Sequence, residues 1–455
     1  MVFSSTVFLF IFLPITYLLH LLIPSIKLKN AILIVASLAF YAFGEPGYIF
    51  LMLLSILANY GFARLIAATE KHAKLMVVLA IIFNIGMLVL FKYSALIISS
   101  CNALTGLHFP VPQIALPIGI SFYTFQALSY CIDVYRDKNT VQKSVFKLML
   151  YISLFPQLIA GPIVKYHDVE AQLTHRTMTI DKTAGGLVRF IYGLSKKLLI
   201  SNAMALVVDT LFETEMNMAL TAWAVAICYV LQIYFDFSGY SDMAIGLGKM
   251  FGFDFLENFN YPYISSSIQE FWRRWHISLS TWFKEYLYIP LGGNRKGEGR
   301  TLLNKFIVFV CTGIWHGANW TFLAWGLFHG LFIMLEYKKW IPFLKNKVLA
   351  HIYTMLVVIC GFVIFRADTI GQAGHILASM FTGFTYEAGE HMLLAKLATP
   401  YTVCCLIVGI VLSTPVSKYV KNTKVLKYVT AVGLFILCVM SLATSSYNPF
   451  IYFRF

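Results

Sequence analysis

The residues best suited to chemistry lie in one stretch, 271–330, where histidines, arginines and tryptophans stand between long apolar runs. His276, His316 and His329 supply imidazoles, which can accept or donate a proton near neutral pH. Ionisable side chains at membrane depth are functional-site candidates, because hydrocarbon offers their polar atoms no water. We therefore expect the site of any chemistry to lie within this stretch.

The composition is that of an integral membrane protein. Hydrophobic residues make up 59% of the 455 positions and charged residues 12%, whereas soluble domains carry roughly a quarter charged residues. The net charge of +14 comes from lysines and arginines clustered between apolar runs, as expected of cytoplasmic loops and lipid headgroup contacts. We therefore expect contacts with membrane lipids and no nucleic-acid partner. The eight cysteines show no CxxC spacing, so we expect free thiols, with no disulfides and no metal site.

The apolar runs predict an all-α, polytopic membrane protein. We expect about eleven to thirteen membrane segments of roughly twenty residues each, broken or re-entrant helices included. The chain is interpreted as a single membrane domain, 1–455. Its predicted parts are N-terminal helices in 1–110, a catalytic core in 111–340 and C-terminal helices in 341–455.

The distribution of lysines predicts the orientation of the chain. The first apolar run, 2–22, lacks the basic start of a cleaved signal peptide, so we expect it to stay as a helix. Basic residues follow the first and third runs, in 25–30 and 68–75. By the positive-inside rule these segments are cytoplasmic and the N-terminus is extracytoplasmic.

A break is predicted beside His316. The apolar stretch 306–337 is too long for one straight span, and Gly313 and Gly317 fall in its first part. We therefore predict a bend there, which would place Trp315 and His316 at the end of a half-helix within the membrane. A neutral imidazole in that setting can act as a general base on a hydroxyl group.

Two further polar residues follow the predicted bend. Asn319 lies about one helical turn after His316 and could orient the ring or the acceptor. His329 lies four residues after Trp325 on the next helix, and we interpret it as a packing or supporting histidine.

Residues 265–288 mix tryptophans with Arg273 and Arg274, which is typical of an amphipathic helix in the headgroup region. His276 lies in its middle and is either an interfacial side chain or a functional one. A flexible loop with Arg295 and Lys296 follows. These four basic residues could contact the phosphates of a soluble donor, or the loop could be a plain cytoplasmic turn.

Polar residues in other helices are candidates for lining a cavity. Gln126, Ser129 and Asp133 share one face of the helix predicted over 116–136. They either make ordinary hydrogen bonds inside the bundle or form the wall of a polar cavity.

Three local features predict interruptions or interfacial positions. Gly161 and Pro162 must break a helix, because proline lacks the amide hydrogen and clashes with the preceding turn. Asp236 and Gly239 lie in a polar segment that suggests a second interruption. Lys197 lies near the middle of a later helix, part of which we therefore expect at the membrane interface.

Several motifs in this order closely resemble the membrane-bound O-acyltransferase (MBOAT) family, in particular the bacterial branch with the membrane subunit of alginate O-acetyltransferase. The motifs are LPIGISFYTFQALSY from Leu116, FPQLIAGPI from Phe155, IYFDFSGYSDMAIG from Ile233, NFNYPY from Asn258, FWRRWHISLSTW from Phe271, YIPLGGNR from Tyr288, WHGANWTF from Trp315 and the terminal NPFIYFRF. The resemblance maps the family's invariant catalytic histidine to His316, in WHG, and its second histidine to His276, in RWH.

The resemblance implies a helix bundle around a central tunnel in a bacterial inner membrane. A cytoplasmic acyl thioester, acetyl-CoA by our choice, would be the donor substrate, with no bound cofactor. The acceptor would be an extracytoplasmic polysaccharide, such as alginate, or peptidoglycan, reached through an SGNH-hydrolase-like partner protein. The residues expected to line or support the tunnel are Gln126, Asp236, Trp315, Asn319 and His329.

Alternative functions stay open at this point. D-alanyl transferases of teichoic acid share RWHISLS and WHG and take their acyl group from a carrier protein. The GGN loop after Tyr288 favours the acetyl-transferring branch. A proton-coupled transporter using His316 and Asp133 is a further class, although no paired interrupted helices are visible. A non-catalytic scaffold for an extracellular transferase is the third.

Overall fold

The computed structural model describes residues 1–419, 423–444 and 447–451, and within these ranges all regular secondary structure is helical. The predicted all-α class is therefore confirmed. The first ten α-helices are α1 (Leu13–Leu22), α2 (Ile26–Gly44), α3 (Ile49–Ala68), α4 (Ala73–Leu88), α5 (Ser94–Thr105), α6 (Ile120–Arg136), α7 (Val145–Ser153), α8 (Phe155–Leu158), α9 (Tyr166–Val169) and α10 (Ile180–Ser195). The others are α11 (Asn202–Phe212), α12 (Ala219–Met250), α13 (Ile268–Arg274), α14 (Ile277–Phe283), α15 (Glu298–His316), α16 (Trp320–Tyr337), α17 (Lys347–Arg366), α18 (Ile370–Thr382), α19 (Ala388–Leu397), α20 (Pro400–Leu412) and α21 (Lys424–Thr444).

The chain is a multi-pass membrane protein. Among the described residues, seven helical segments are long and apolar enough to cross a membrane: Ile26–Gly44, Ile49–Ala68, Ala73–Thr105, Ile180–Phe212, Ala219–Met250, Lys347–Arg366 and Lys424–Thr444. Helices α19 and α20 meet at 76° and make an eighth span if they are counted as one. Other predicted segments form shorter helices, such as α6 over the predicted 116–136, in keeping with the broken or re-entrant helices that the prediction included.

Packing divides the chain into two compact units. Unit 1 comprises residues 1–190 and 241–256, and unit 2 comprises residues 191–240 and 257–455. Every residue of 271–330 belongs to unit 2. The assignment of the whole chain to a single domain stays a prediction.

Unit 1 is held together by buried polar contacts as well as apolar ones. The Asn84 side-chain amide of α4 donates to Asn59 Oδ1 of α3 at 2.7 Å, and Cys131 Sγ of α6 lies 3.4 Å from the same oxygen. The break predicted at Gly161 and Pro162 is confirmed. Helix α8 ends at Leu158, and the irregular backbone that follows is buried. Burial within protein is what allows such backbone in a membrane protein.

The interruption predicted near Asp236 and Gly239 is wrong. Helix α12 runs through both residues without a break. Gly239 instead permits a close helix crossing, because a Cβ there would lie 2.7 Å from the carbonyl oxygen of Gly193 and 3.3 Å from the backbone nitrogen of Lys197. Polar residues and glycine in this helix thus mark tight packing.

The single amphipathic helix predicted over 265–288 is also wrong. The segment forms two short helices, α13 and α14, which are separated at Trp275 and His276. His276 has a φ of 45°, in the left-handed region that ends a helix. Trp272 and Trp282 are buried rather than spread over an interface. The ring of Trp272 packs against those of Phe309 and Trp325 from later helices, contacts that a local pattern cannot reveal.

Candidate active site

His316 is positioned by a helical hairpin. Helix α15 ends at His316, and after a short non-helical link α16 begins at Trp320, so the break predicted here is confirmed. Asn319 caps α16, since its Oδ1 accepts the backbone N–H of Thr321 at 3.1 Å. Its amide nitrogen donates to the carbonyl oxygen of Asp368 at 2.9 Å. These two hydrogen bonds show that Asn319 stabilises the link between α15 and α16. Its orientation of the His316 ring or of the acceptor stays a prediction.

Glycines allow the two helices of the hairpin to meet closely. A Cβ at Gly326 of α16 would lie 2.6 Å from the carbonyl oxygen of Phe309 and 3.2 Å from the Cα of Gly313 in α15. Side chains larger than hydrogen would therefore force the helices apart. Because Gly313 lies one turn before His316, this crossing sets the position of the imidazole.

A cavity opens beside His316. It is small, with a cavity volume of about 20 Å³. Its walls are aromatic and aliphatic apart from the imidazole of His316. The described residues that line it are Ile233, Phe237, Trp275, His316, Trp325, Phe362, Phe365 and Ile451. His316 is thus the single titratable side chain among these lining residues.

Aromatic rings hold the imidazole of His316 in place. The rings of Trp315, Trp325 and Phe365 each have their centroid 5.1 Å from that of His316, in edge-to-face arrangements. Only 8% of His316 is exposed. Such packing restricts the orientation of the His316 ring and holds it facing the cavity.

His276 lies close to the same place and is oriented by Asn258. Its Nδ1 lies 3.2 Å from Asn258 Oδ1. That oxygen also accepts the backbone N–H of Ser278 at 3.1 Å and the Ser278 hydroxyl at 2.8 Å. A backbone N–H can only donate, so Asn258 Oδ1 is an acceptor and His276 Nδ1 carries the hydrogen.

The other ring nitrogen of His276 is consequently an acceptor. Nε2 is buried and has no hydrogen-bond partner among the described residues. The His276 ring lies 4.6 Å from the ring of Phe237, which lines the cavity, and 6.1 Å from that of Trp315. The two histidines expected to be catalytic are therefore brought together, with Trp315 in contact with both.

His329 belongs to a neighbouring aromatic cluster. Its ring centroid is 5.1 Å from those of Trp272 and Trp325. A Cβ at Gly361 would lie 2.6 Å from His329 Nε2, so α17 approaches the ring closely. His329 Nδ1 has no partner among the described residues. Through Trp325 the cluster touches His316, which is compatible with the supporting role predicted for His329.

Asp236 forms a buried ion pair, and its predicted role in lining or supporting a tunnel stays a prediction. Its Oδ1 lies 2.6 Å from Lys197 Nζ, and the two side chains are 2% and 4% exposed. Its Oδ2 accepts the backbone N–H of Ile451 at 2.9 Å. Lys197 is thus buried and paired with a carboxylate, and the interfacial position expected for part of its helix stays a prediction.

The four basic residues expected to contact a donor differ in their surroundings. Arg274 pairs with Glu270 at 2.8 Å and donates to the carbonyl oxygen of Asn260 at 3.1 Å. Arg273, Arg295 and Lys296 are exposed. Arg274 therefore stabilises the local structure. Binding of the donor by these four basic residues stays a prediction.

Gln126 lies in α6 of unit 1, where it is 1% exposed. Its Oε1 has no hydrogen-bond partner among the described residues, and its backbone oxygen accepts the Ser129 hydroxyl at 2.9 Å. Asp133, on the same face, lies 3.5 Å from Arg136. Both the packing and the cavity interpretations of this face remain compatible with these contacts.

Sequence reasoning missed two positioning residues. Asn258, in NFNYPY, orients His276, and the motif itself was the signal that could have drawn attention to it. Glu336, at the end of α16, accepts the backbone N–H groups of Ile268 at 2.6 Å and Gln269 at 3.1 Å. It caps α13 from a distant part of the chain, and no local pattern announces such a contact.

The helical fold defines a multi-pass membrane protein in which two buried histidines lie close together. Comparison with known proteins then gives the family. The model of the membrane-bound O-acyltransferase family matches residues 135–368. The chain belongs to this family and is an O-acyltransferase, as its motifs indicated.

Three relatives indicate the breadth of the match. The chain is 39% identical to the probable alginate O-acetylase of Pseudomonas putida over the full length of both. It is 36% identical to the peptidoglycan O-acetyltransferase of Helicobacter pylori, with 84% of this chain and 80% of that protein covered. Identity to the teichoic acid D-alanyltransferase of Bacillus subtilis is 28%, with 57% of this chain and 70% of that protein covered.

Proposed function

We propose that this protein transfers an acetyl group from a cytoplasmic thioester, acetyl-CoA, toward an extracytoplasmic polysaccharide or peptidoglycan. The observation that carries the proposal is the placement of His316. It is the one titratable side chain among the described residues lining an apolar cavity, and a helix break holds it there. Apolar walls exclude water, which would otherwise compete as the acyl acceptor.

In the proposed reaction His316 acts as the general base. It takes the proton from an acceptor hydroxyl while the hydroxyl oxygen attacks the thioester carbonyl. The new carbon–oxygen bond forms, the carbon–sulfur bond breaks, and the leaving thiolate takes up the proton. The unprotonated Nε2 of His276 offers a second acceptor beside Trp315, suited to orienting the same hydroxyl.

The choice of donor and acceptor rests on the relatives. The acetyl-transferring relatives cover more of this chain, at higher identity, than the D-alanyl-transferring one. Acetyl-CoA is therefore the proposed donor. An acceptor outside the membrane requires a protein that receives the acetyl group there, and an SGNH-hydrolase-like partner is proposed for this step.

The proposed location is the bacterial inner membrane, with the N-terminus outside. The basic segments 25–30 and 68–75 support this orientation by the positive-inside rule. Under this arrangement the donor reaches the site from the cytoplasmic side.

The test is acetylation of the envelope polymer in cells that produce His316→Ala, with the amount of protein in the membrane measured in parallel. General-base catalysis contributes about 10²–10⁴-fold, so acetyl ester should fall at least about 100-fold. His375→Ala, at an exposed histidine of α18, is the control and should leave acetylation unchanged. Normal acetylation in His316→Ala cells at a normal protein level would rule out His316 as the base.

The donor is tested on purified protein. Acetyl-CoA and a D-alanyl-loaded carrier protein are supplied separately, and release of the free thiol is followed. We expect the protein to turn over acetyl-CoA and not the D-alanyl-loaded carrier protein. Turnover of the carrier-protein thioester alone would replace acetyl transfer by D-alanyl transfer, and turnover of neither would contradict the enzyme function proposed here.

A further inference from the structure

One wall of the cavity comes from the far end of the described chain. Ile451 lines the cavity together with His316 and is 5% exposed. The segment that carries it, Pro449–Phe450–Ile451, lies beyond the end of α21 at Thr444, and residues 447–450 are not helical. Its position must therefore come from contacts with other elements.

Those contacts centre on a buried ion pair. Lys197 donates a hydrogen bond to the carbonyl oxygen of Pro449, and Asp236 Oδ2 accepts the N–H of Ile451 at 2.9 Å. Lys197 and Asp236 also bind each other at 2.6 Å. The pair thus clamps the segment through two backbone groups, one on each side of Phe450.

The clamp is built into the helix packing. The close crossing at Gly239, one helical turn from Asp236, brings the helix of Lys197 against α12. The ring of Phe450 lies 4.8 Å from that of Tyr240, which directly follows Gly239 in α12. Burying two opposite charges is costly in free energy and does not by itself stabilise a fold. The Lys197–Asp236 pair also binds the backbone of residues 449–451, and positioning this segment explains why the pair is present.

We infer that Ile451 limits the length of the acyl group that the cavity accepts, and that the Lys197–Asp236 pair positions Ile451 for this task. The inference rests on the proposed acyl transfer. The apolar side chain of Ile451 would contact the acyl methyl end while the carbonyl lies near His316. Removing side-chain carbons from Ile451 would leave room for a longer acyl chain. Removing the bonds that hold residues 449–451 would let Ile451 move and would weaken the discrimination between short and long acyl chains.

The first test changes the side chain alone. Ile451→Ala protein is compared with the wild type for kcat/KM on acetyl-CoA and butyryl-CoA. One methylene in an apolar pocket discriminates about 10–200-fold, so the butyryl-to-acetyl ratio should rise at least about 10-fold. Ile376→Ala, which removes the same atoms from a buried site in α18 that does not line the cavity, should leave the ratio unchanged. An unchanged ratio in Ile451→Ala would overturn the inference.

The second test isolates the clamp without leaving a buried charge unpaired. Lys197→Met/Asp236→Asn keeps an oxygen that can accept the N–H of Ile451, and Lys197→Met/Asp236→Ala lacks it. The Asn variant keeps one of the two backbone bonds and should shift less from the wild-type ratio than the Ala variant, which should approach the ratio of Ile451→Ala. Wild-type ratios in both double variants would overturn the positioning role, because a purely structural pair would change the amount of active protein and not the ratio.

The two proposals fail in different ways. If the wild-type protein turns over neither thioester, the proposed function falls and this inference falls with it. If acetyl-CoA is turned over and Ile451→Ala has the wild-type ratio, the function stands and only the inference is overturned.

Discussion

Substituting Gly326 by alanine should misplace the hairpin that carries His316. The added Cβ would lie 2.6 Å from the carbonyl oxygen of Phe309, whereas an ordinary contact of this kind is at least about 3.4 Å. Helices α15 and α16 must therefore separate by about 0.8 Å, the difference between these distances, or shift past each other. Overpacking of this kind costs about 1–3 kcal/mol of folding free energy.

The substitution should lower the rate of catalysis as well as the stability. His316 ends α15, three residues after Gly313, which faces Gly326 across the crossing. A misplacement of about 1 Å can cost about 100-fold in rate. We therefore expect acetyl transfer to fall by about 10–100-fold in Gly326→Ala protein that is still folded. The assay is thiol release from acetyl-CoA per mole of folded protein, with thermal unfolding in detergent measured alongside.

Gly330 provides the matched control. It lies one turn further along α16, and a Cβ there would meet only side-chain carbons at ordinary contact distances, Phe309 Cβ at 3.4 Å and Phe306 Cδ2 at 3.5 Å. Both substitutions gain the same helix propensity, about 1 kcal/mol, so a difference between them isolates the crossing. If Gly326→Ala and Gly330→Ala proteins have equal stability and equal activity, the argument that this crossing positions His316 is refuted.

Three further predictions concern residues around the site. Asn258→Ala should lower both stability and acetyl transfer, because buried partners such as His276 Nδ1 lose their acceptor at about 1–3 kcal/mol each; wild-type activity and unfolding temperature would contradict this. Glu336→Ala should destabilise the protein by about 1.5–3 kcal/mol for each of the two charge-assisted bonds lost, and Glu336→Gln by less, as measured by denaturant unfolding. Arg295→Gln/Lys296→Gln should raise KM for acetyl-CoA at low salt and leave kcat unchanged if the loop binds donor phosphates; an unchanged KM would make the loop a plain turn.

Local signals were sufficient for the hairpin. An apolar run too long for one span, with glycines in its first part, predicted the break beside His316, and the structure confirms it. The Gly161–Pro162 break was predictable for the same reason, because the chemistry of proline acts within one helical turn. Such features depend only on neighbouring residues.

Other features depended on partners distant in the chain. Tryptophans and arginines over 265–288 are typical of an interfacial helix, yet the segment is broken at His276 and its tryptophans are buried. Its first helix is capped by Glu336, 68 residues after Ile268. Composition could not distinguish an aromatic face covered by lipid headgroups from one covered by protein, since both bury the same side chains.

The sequence by itself determined the membrane class, the family and the candidate pair His276 and His316, because apolar runs and ordered motifs are properties of neighbouring residues. Only the tertiary structure decided that Asn258 fixes the His276 tautomer and that Lys197 neutralises Asp236. It also decided that Ile451 closes the cavity of His316. Hydrogen bonds and ion pairs depend on distances of a few ångströms between residues far apart in the chain, and those distances exist only once the helices have packed.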